Sequence, residues 1–563
     1  MADRHHVIDQ FFGDASTPIA WRDEDEKRLH FWYDDLHCPN AISPMWSDVG
    51  GWWLTCAYMF RRFGVPYGKD WVAKTINGYV MTAVVPREPK EEADLTAYYN
   101  MVLPVYADKF LGWWNERYLP EILRNFEYLD TFDMDGASLP EGMILLEDAL
   151  DIQERHFRLH WILNYAQLTT SLTFQGMVRE MLGEEHAPLV DSILTSDEDR
   201  NWDSVRDLWT LKERVKRDAA LRSVFDQNPT SAGVFAALAS TDAGRALLRD
   251  IDVYKVEYGN KSMYPHEYAY VTWREDPTPI VEALRGYLQT DYDYRGDVKK
   301  MRETRERAIE ELWRRFPNDR PQADRDKLQT ALTLAVKMTP LTPDHHFYMD
   351  QGTYARVRLV FLAIGRKLAA TGVLDQPDDV LFLKYDELRI ISANASVFDG
   401  RALVRERRAE HTASTKKEPK LWAGTITNWS MYDEPYKHGL WDWPDVYFRA
   451  KETGQPPDVI KGMAASAGVI EGTVRVVHSA QEFDQVQKGE ILVCKMTNPA
   501  WVVLFTKIGG LVTDSGGTLS HPAVVSREFG LPAVVGTLVA TQKLKTGQRV
   551  RVDGSAGTVH VLS

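Results

Sequence analysis

One histidine, His521, stands where a glycine-rich loop runs into a short apolar segment, Asp514-Ser-Gly-Gly-Thr-Leu-Ser-His-Pro-Ala-Val-Val-Ser-Arg-Glu-Phe-Gly530. Pro522 suits the first helical position, which puts His521 at the N-cap, and Gly530 suits the stop. Ala523, Val524, Val525 and Phe529 make one side of this helix apolar, so it can pack on a sheet while its N-terminus stays open. Unpaired backbone N–H groups and the helix dipole at that end favour an anion. A neutral imidazole beside such a cradle is a nucleophile toward phosphorus, which points to a covalent phosphohistidine.

A second group of candidate residues lies in Thr342-Pro-Asp-His-His-Phe-Tyr-Met-Asp-Gln-Gly352. Thr342 is a good N-cap and Pro343 a good first residue for a long helix, with Val357, Phe361, Ile364 and Leu368 as its seam and Gly372 as its end. Asp344, His345 and His346 then fall in the first turn, and His346 with Asp350 forms an i,i+4 pair. A carboxylate on a histidine orients it for proton transfer. The competing reading makes both histidines polar cap residues. Phe347 and Tyr348 follow directly, and Trp52 and Trp53 belong to an aromatic run with Trp46, Tyr58, Phe60 and Phe63. That run can line a pocket for a flat acceptor, but core packing weighs more for any single ring.

The elements that must position these residues divide the 563-residue chain unequally. From Glu24 to Leu388 the texture is helical, as in Asp94 to Phe126, Leu145 to Leu182 and the charged stretch Asp297 to Phe316, whose Arg/Glu remainder reads as a solvated face with internal ion pairs. Alternating stretches are few there, and 13 of the 18 Trp and 21 of the 24 Tyr lie before residue 389. Beyond Leu388 the pattern loosens into charge-dense and Trp/Tyr-rich connecting sequence that ends in Thr453-Gly-Gln-Pro-Pro457. From Ile460 short strands take over: Gly472 to His478, Ile491 to Lys495, Gly510 to Thr513, Ala533 to Val535, Arg549 to Asp553 and Thr558 to Leu562. The expected organisation is multidomain. A large, mostly α-helical, aromatic-rich domain (1–388) precedes a connecting segment and hinge (389–458) and a small α/β domain (459–563).

A net charge of −14 argues against nucleic acid, which needs a basic footprint. The three cysteines, Cys38, Cys56 and Cys494, are scattered without metal-site spacing, so neither a disulfide framework nor a protein-bound metal is expected. The N-terminus lacks an apolar signal core and no run approaches a membrane span, which predicts a cytosolic protein.

The string Gly516-Gly-Thr-Leu-Ser-His521, with Ser526-Arg-Glu528 and Leu531-Pro-Ala-Val-Val-Gly536, closely resembles the swivelling phosphohistidine domain of phosphoenolpyruvate-utilising dikinases. Ala465 to Gly472, Thr497-Asn-Pro-Ala-Trp501 and Gly510 to Asp514 resemble other parts of that domain. Pro522 and Ser526 stand where members commonly have alanine, and Leu519 where some have a threonine. Upstream, Tyr258-Gly-Asn-Lys261 and Trp273-Arg-Glu-Asp-Pro277 resemble the acceptor-binding region of the rifampin phosphotransferase group. Lys261 replaces the usual arginine there, a point charge in place of a planar fork. Arg366 to Gly372 and Asp378 to Leu388 resemble the same group, and Asp-His-His-Phe-Tyr is similar to the phenylphosphate synthase branch.

The resemblance implies that His521 carries the phosphoryl group, held by Gly516, Gly517, Thr518, Ser520 and Arg527. His345 or His346, oriented by Asp344 or Asp350, would act on the acceptor, with Lys261, Phe347, Tyr348, Trp52 and Trp53 around it. No glycine-rich nucleotide loop is found. A separate ATP-grasp subunit binding Mg2+ with ATP is therefore expected as partner, and a phenolic hydroxyl as acceptor. Phosphorylation of a larger, rifamycin-type hydroxyl compound, or a non-catalytic phosphocarrier, are the alternatives.

Overall fold

The computed structural model describes residues 19–34, 37–417, 419–420, 422–424, 458–478, 480–517 and 520–562. The expected hinge, Thr453 to Pro457, and Thr518 of the expected phosphoryl cradle lie outside the described residues. The chain forms two compact units, each built from three segments: Met1–Ala166, Tyr264–Tyr270 and Tyr348–Glu434 in the first, Gln167–Met263, Val271–Phe347 and Pro435–Ser563 in the second.

The first unit contains a sheet that the helical reading of its sequence does not anticipate. Strands β1 (His30–Tyr33), β2 (Asp70–Ile76), β3 (Tyr79–Val85) and β4 (Trp422–Gly424) pair antiparallel in the order β2-β3-β1-β4. Asn77 (φ 54°) and Gly78 (φ 83°) join β2 to β3 as a two-residue turn with both residues left-handed, which matches strand twist. This Asn-Gly pair between apolar runs is a hairpin signal that was legible in the sequence. Phe31, Val72, Ile76, Tyr79 and Met81 close one side of the sheet. Trp46, Trp52 and Trp53 are buried in edge-to-face packing, Trp53 touching both of the others, so these three rings pack as core. The helix Tyr354–Ala370 buries Val357, Phe361, Ile364 and Leu368, the expected seam, and Gly372 follows in the left-handed region at φ 74°.

The second unit joins a helical body to the C-terminal α/β domain. Its helices are started by side chains that take up orphan N–H groups: Asp199 for Arg200–Arg217, Asp218 for Ala219–Gln227, Thr241 for Asp242–Tyr258 and Asp293 for Tyr294–Arg315. The last of these is the charged helix, and ion pairs such as Arg315–Glu311 (2.6 Å) run along it. The helix expected to begin at Thr342 and Pro343 begins at Leu341, with Pro340 at the cap. It then widens into a π-helical stretch, His346–Thr353, before Tyr354–Ala370.

The α/β domain is an eight-stranded sheet of β5 (Val459–Lys461), β6 (Met463–Ser466), β7 (Val469–Val476), β8 (Ile491–Cys494), β9 (Gly510–Thr513), β10 (Ala533–Val535), β11 (Arg549–Asp553) and β12 (Thr558–Val561). The order is β5-β12-β11-β7-β8-β9-β10-β6. Strands β7 to β10 are parallel, and the remaining pairings are antiparallel. Val474, Ile491, Val493, Val512, Val534, Val550 and Val552 form a β-branched core, as strands buried on both faces require.

Candidate active site

His521 and its nearest partner come from the loops that follow the carboxyl ends of β8 and β9, where parallel sheets place their ligand sites. His521 is the first residue of the helix His521–Glu528 and Pro522 the second; Ser520, in extended conformation, is the N-cap. The cap is thus one residue earlier than the sequence suggested. The Ser520 hydroxyl donates to Gly517 O at 2.6 Å, which ties down the loop. Gly516 has φ 109°, and a Cβ there would lie 2.6 Å from Ser520 Oγ, so only glycine fits. At the other end Gly530 N–H reaches Arg527 O and Leu531 N–H reaches Ser526 O, the paired bonds of a Schellman stop. The Arg527 guanidinium donates to Ala465 O at 3.0 Å, so its expected role on phosphoryl oxygens competes with a backbone contact.

The His521 ring is partly exposed, but its Nε2 is shielded and has no hydrogen-bond partner. Its Nδ1 lies 3.0 Å from Thr497 Oγ1. In the tautomer whose Nδ1–H donates to that oxygen, the Nε2 lone pair is left for attack. Burial holds the His521 pKa well below the ordinary histidine value, helped by His346 and then Lys261 nearby, so the ring is neutral at physiological pH. Thr497→Val should slow phosphorylation of His521 by about 10- to 100-fold, the effect of losing one bond of roughly 1.5–3 kcal/mol to a group that becomes charged. Thr497→Ser should recover most of the rate. Single-turnover labelling of the protein measures both.

Lys261 is 1% exposed. Its Nζ donates to Ser204 Oγ at 2.7 Å and lies 5.2 Å from the centre of the Trp273 ring. Burial, then repulsion from Arg200, brings its pKa down to about 7. His346 is half-buried and stacks on His345 with ring centres 4.0 Å apart. His345 is buried and its Nδ1 faces Leu341 O at 3.1 Å, so a carbonyl fixes its tautomer.

The second unit therefore brings His521, Lys261 and His346 together. Asp344, expected to orient a histidine, accepts the Arg200 backbone N–H at 2.9 Å, and burial raises its pKa to about 6. Phe347 lies under the Arg200 guanidinium, 4.4 Å from ring centre to carbon. In the first unit, Tyr348 packs near Trp114, and Asp350 is buried against His160 and His266. Two features escaped the sequence reading. Thr497 was visible only as part of a string. The docking of the α/β domain on the helices, through Trp202 stacked on Phe529 (4.9 Å, 15°) and the Asn498 amide donating to Met263 O, joins residues hundreds of positions apart.

Residues 486–557 match the mobile domain of PEP-utilising enzymes, and residues 160–342 match the fourth domain of rifampicin phosphotransferase. The first match contains His521 and the second contains Lys261. Both matched regions and the relatives below make the chain similar to PEP-utilising enzymes, rifampicin phosphotransferases among them. It is 30% identical over 465 residues to the uncharacterized phosphotransferase YvkC of Bacillus subtilis, covering 82% of this chain and 53% of that protein. With the rifampicin phosphotransferase of Bacillus cereus it shares 27% identity over 332 residues, 57% of this chain and 35% of the relative. With the phosphoenolpyruvate synthase of Pyrococcus furiosus it shares 49% over 111 residues, 20% and 14% respectively. The chain spans about half the length, or less, of these relatives. Among the described residues no helix is long and apolar enough to cross a membrane.

Proposed function

We propose that the chain is the phosphohistidine-carrying part of an ATP-dependent dikinase that phosphorylates a phenolic hydroxyl. An ATP-grasp partner would bind ATP with Mg2+, which neutralises phosphate charge there. ATP and water would yield phospho-His521, AMP and inorganic phosphate, the β-phosphoryl going to Nε2 by family resemblance. The phenolic oxygen would then attack phosphorus. The N–P bond breaks with its electrons returning to Nε2, and the phenol proton passes to His346. Protonated Lys261 would balance the charge on the phosphoryl oxygens.

The observation that carries this reading is a neutral His521, its Nε2 shielded and unbonded, near Lys261 and His346. Splitting the reaction in two lets sites that cannot both touch ATP and acceptor share one phosphoryl group. A second reading, transfer to a larger hydroxyl compound of the rifamycin type, is favoured by the match of residues 160–342. The test combines the chain with an ATP-grasp protein, ATP labelled at the β-phosphorus, and phenol. Label should appear on His521 and then in aryl phosphate. Label passed to a rifamycin but not to phenol would support the second reading. Label that stays on the protein with either acceptor would make the chain a carrier.

A further inference from the structure

The loop that follows β8 faces two ways with two adjacent residues. Thr497, 1% exposed, holds His521 Nδ1 at 3.0 Å. Its neighbour Asn498 faces the helical body and donates its side-chain amide to Met263 O. Asn498 and Met263 belong to the same compact unit but come from opposite sides of the docking contact. We propose that Asn498 is a positioning residue whose bond to Met263 O sets His521 in register with Lys261, a role that rests on the phosphoryl-transfer reading above.

The direction of the amide is fixed locally. Asn498, in extended conformation, caps the short helix Pro499–Trp501: its Oδ1 accepts the Ala500 N–H at 2.8 Å, and Trp501 N–H returns to Asn498 O at 2.8 Å. With the oxygen committed to a backbone donor, the NH2 end is the one left for a carbonyl. Trp501 is buried against Phe483 (4.9 Å), which anchors this loop in its own domain.

On the other side, Met263 ends a segment that carries Lys261. Trp273 N–H donates to Lys261 O at 2.9 Å, Arg274 N–H donates to Gly259 O at 2.8 Å, and Ser262 pairs with Thr272 as an antiparallel bridge. These backbone bonds stiffen the segment, so a contact at Met263 O also locates Lys261. Another attachment near His521 is a run of rings. Trp202 stacks on Phe529, Phe529 lies 5.9 Å from Phe505, and Phe505 stands edge-on to His521 at 6.3 Å. Apolar contacts hold two surfaces together but are non-directional and let them slide. A hydrogen bond weakens steeply as donor and acceptor leave line, so the amide is what fixes register. Charging needs an outside donor to reach Nε2, which is shielded in the docked arrangement. The Asn498 bond therefore serves transfer and opens for charging.

The experiment uses the full chain with Asn498→Thr and Asn498→Asp. Both keep a cap for the Ala500 N–H, but threonine is too short to reach Met263 O and aspartate has no donor for it. In single turnovers both variants should take label from ATP at the wild-type rate. Both should pass it about 10- to 100-fold more slowly to whichever of phenol or a rifamycin the wild type phosphorylates, the effect of leaving one buried carbonyl unpaired. Agreement between a neutral and a charged substitute excludes charge as the cause. A second readout needs neither ATP nor partner: diethyl pyrocarbonate should modify His521 faster in both variants, by a comparable factor, because undocking uncovers Nε2. Mass spectrometry of the His521 peptide measures that rate. Transfer at the wild-type rate, equal slowing of charging and transfer, or modification no faster than in the wild type would each overturn the proposal. Label that reaches neither acceptor in the wild type, with modification still faster in the variants, would overturn the transfer reading and leave the register contact standing.

Discussion

His521→Gln is expected to lose all labelling from ATP and to lower acceptor phosphorylation by on the order of 10⁵- to 10⁶-fold, as loss of a covalent nucleophile does when no other group can replace it. Glutamine keeps a polar side chain of similar reach but offers no nitrogen lone pair to phosphorus. The fold should tolerate the change, because the ring is partly exposed and its polar contact is to Thr497 alone among those described. The core beneath consists of Val493, Val512, Val534 and their neighbours, which the substitution leaves in place. An unchanged melting temperature with no label on the protein is the expected pair of results. Label retained on the variant would remove His521 from the chemistry.

His521 was legible because its loop must satisfy several local demands at once. A left-handed glycine at 516, proline inside the first turn and a left-handed glycine at 530 leave few alternative conformations, though the cap itself falls one residue earlier than expected. The same holds for β7 to β12, whose β-branched runs and glycine turns announce strands. The β2–β3 hairpin carried an equally local signal in Asn77-Gly78, but it was outweighed by the helical texture around it. The π-helical stretch at 346–353 could not be foreseen, since the seam Val357, Phe361, Ile364 and Leu368 fixes only the helix after it. Lys261, Thr497 and His521 are brought together by docking of one set of helices on a sheet, and His160, His266 and Asp350 by packing of three distant segments. Spacing within a motif carries no information about either.

Lys261→Met should reduce transfer from phospho-His521 to acceptor by about 10²- to 10³-fold, the usual effect of losing one preorganised charge from a dry site. The pH dependence makes the claim specific. In the unphosphorylated protein Lys261 titrates at about 7, against the ordinary 10.5, because it is buried and near Arg200. Folding stability should therefore rise with pH between about 7 and 10.5, where the unfolded chain keeps the proton and the folded one has released it. Transfer should move the other way and fall as pH rises through this range, since the neutral amine no longer offsets phosphoryl charge. The phosphoryl group raises the lysine pKa, so the kinetic midpoint should lie above the one seen by titrating the unphosphorylated protein. Lys261→Arg, which stays protonated throughout, should flatten this limb of the rate profile even if the larger guanidinium lowers the rate itself. Lys261→Met should flatten both the stability rise and the rate fall. Single-turnover transfer and thermal unfolding across pH 6 to 10 read the two trends, and a transfer rate that stays level with pH in the wild type would exclude Lys261 as the counter-charge.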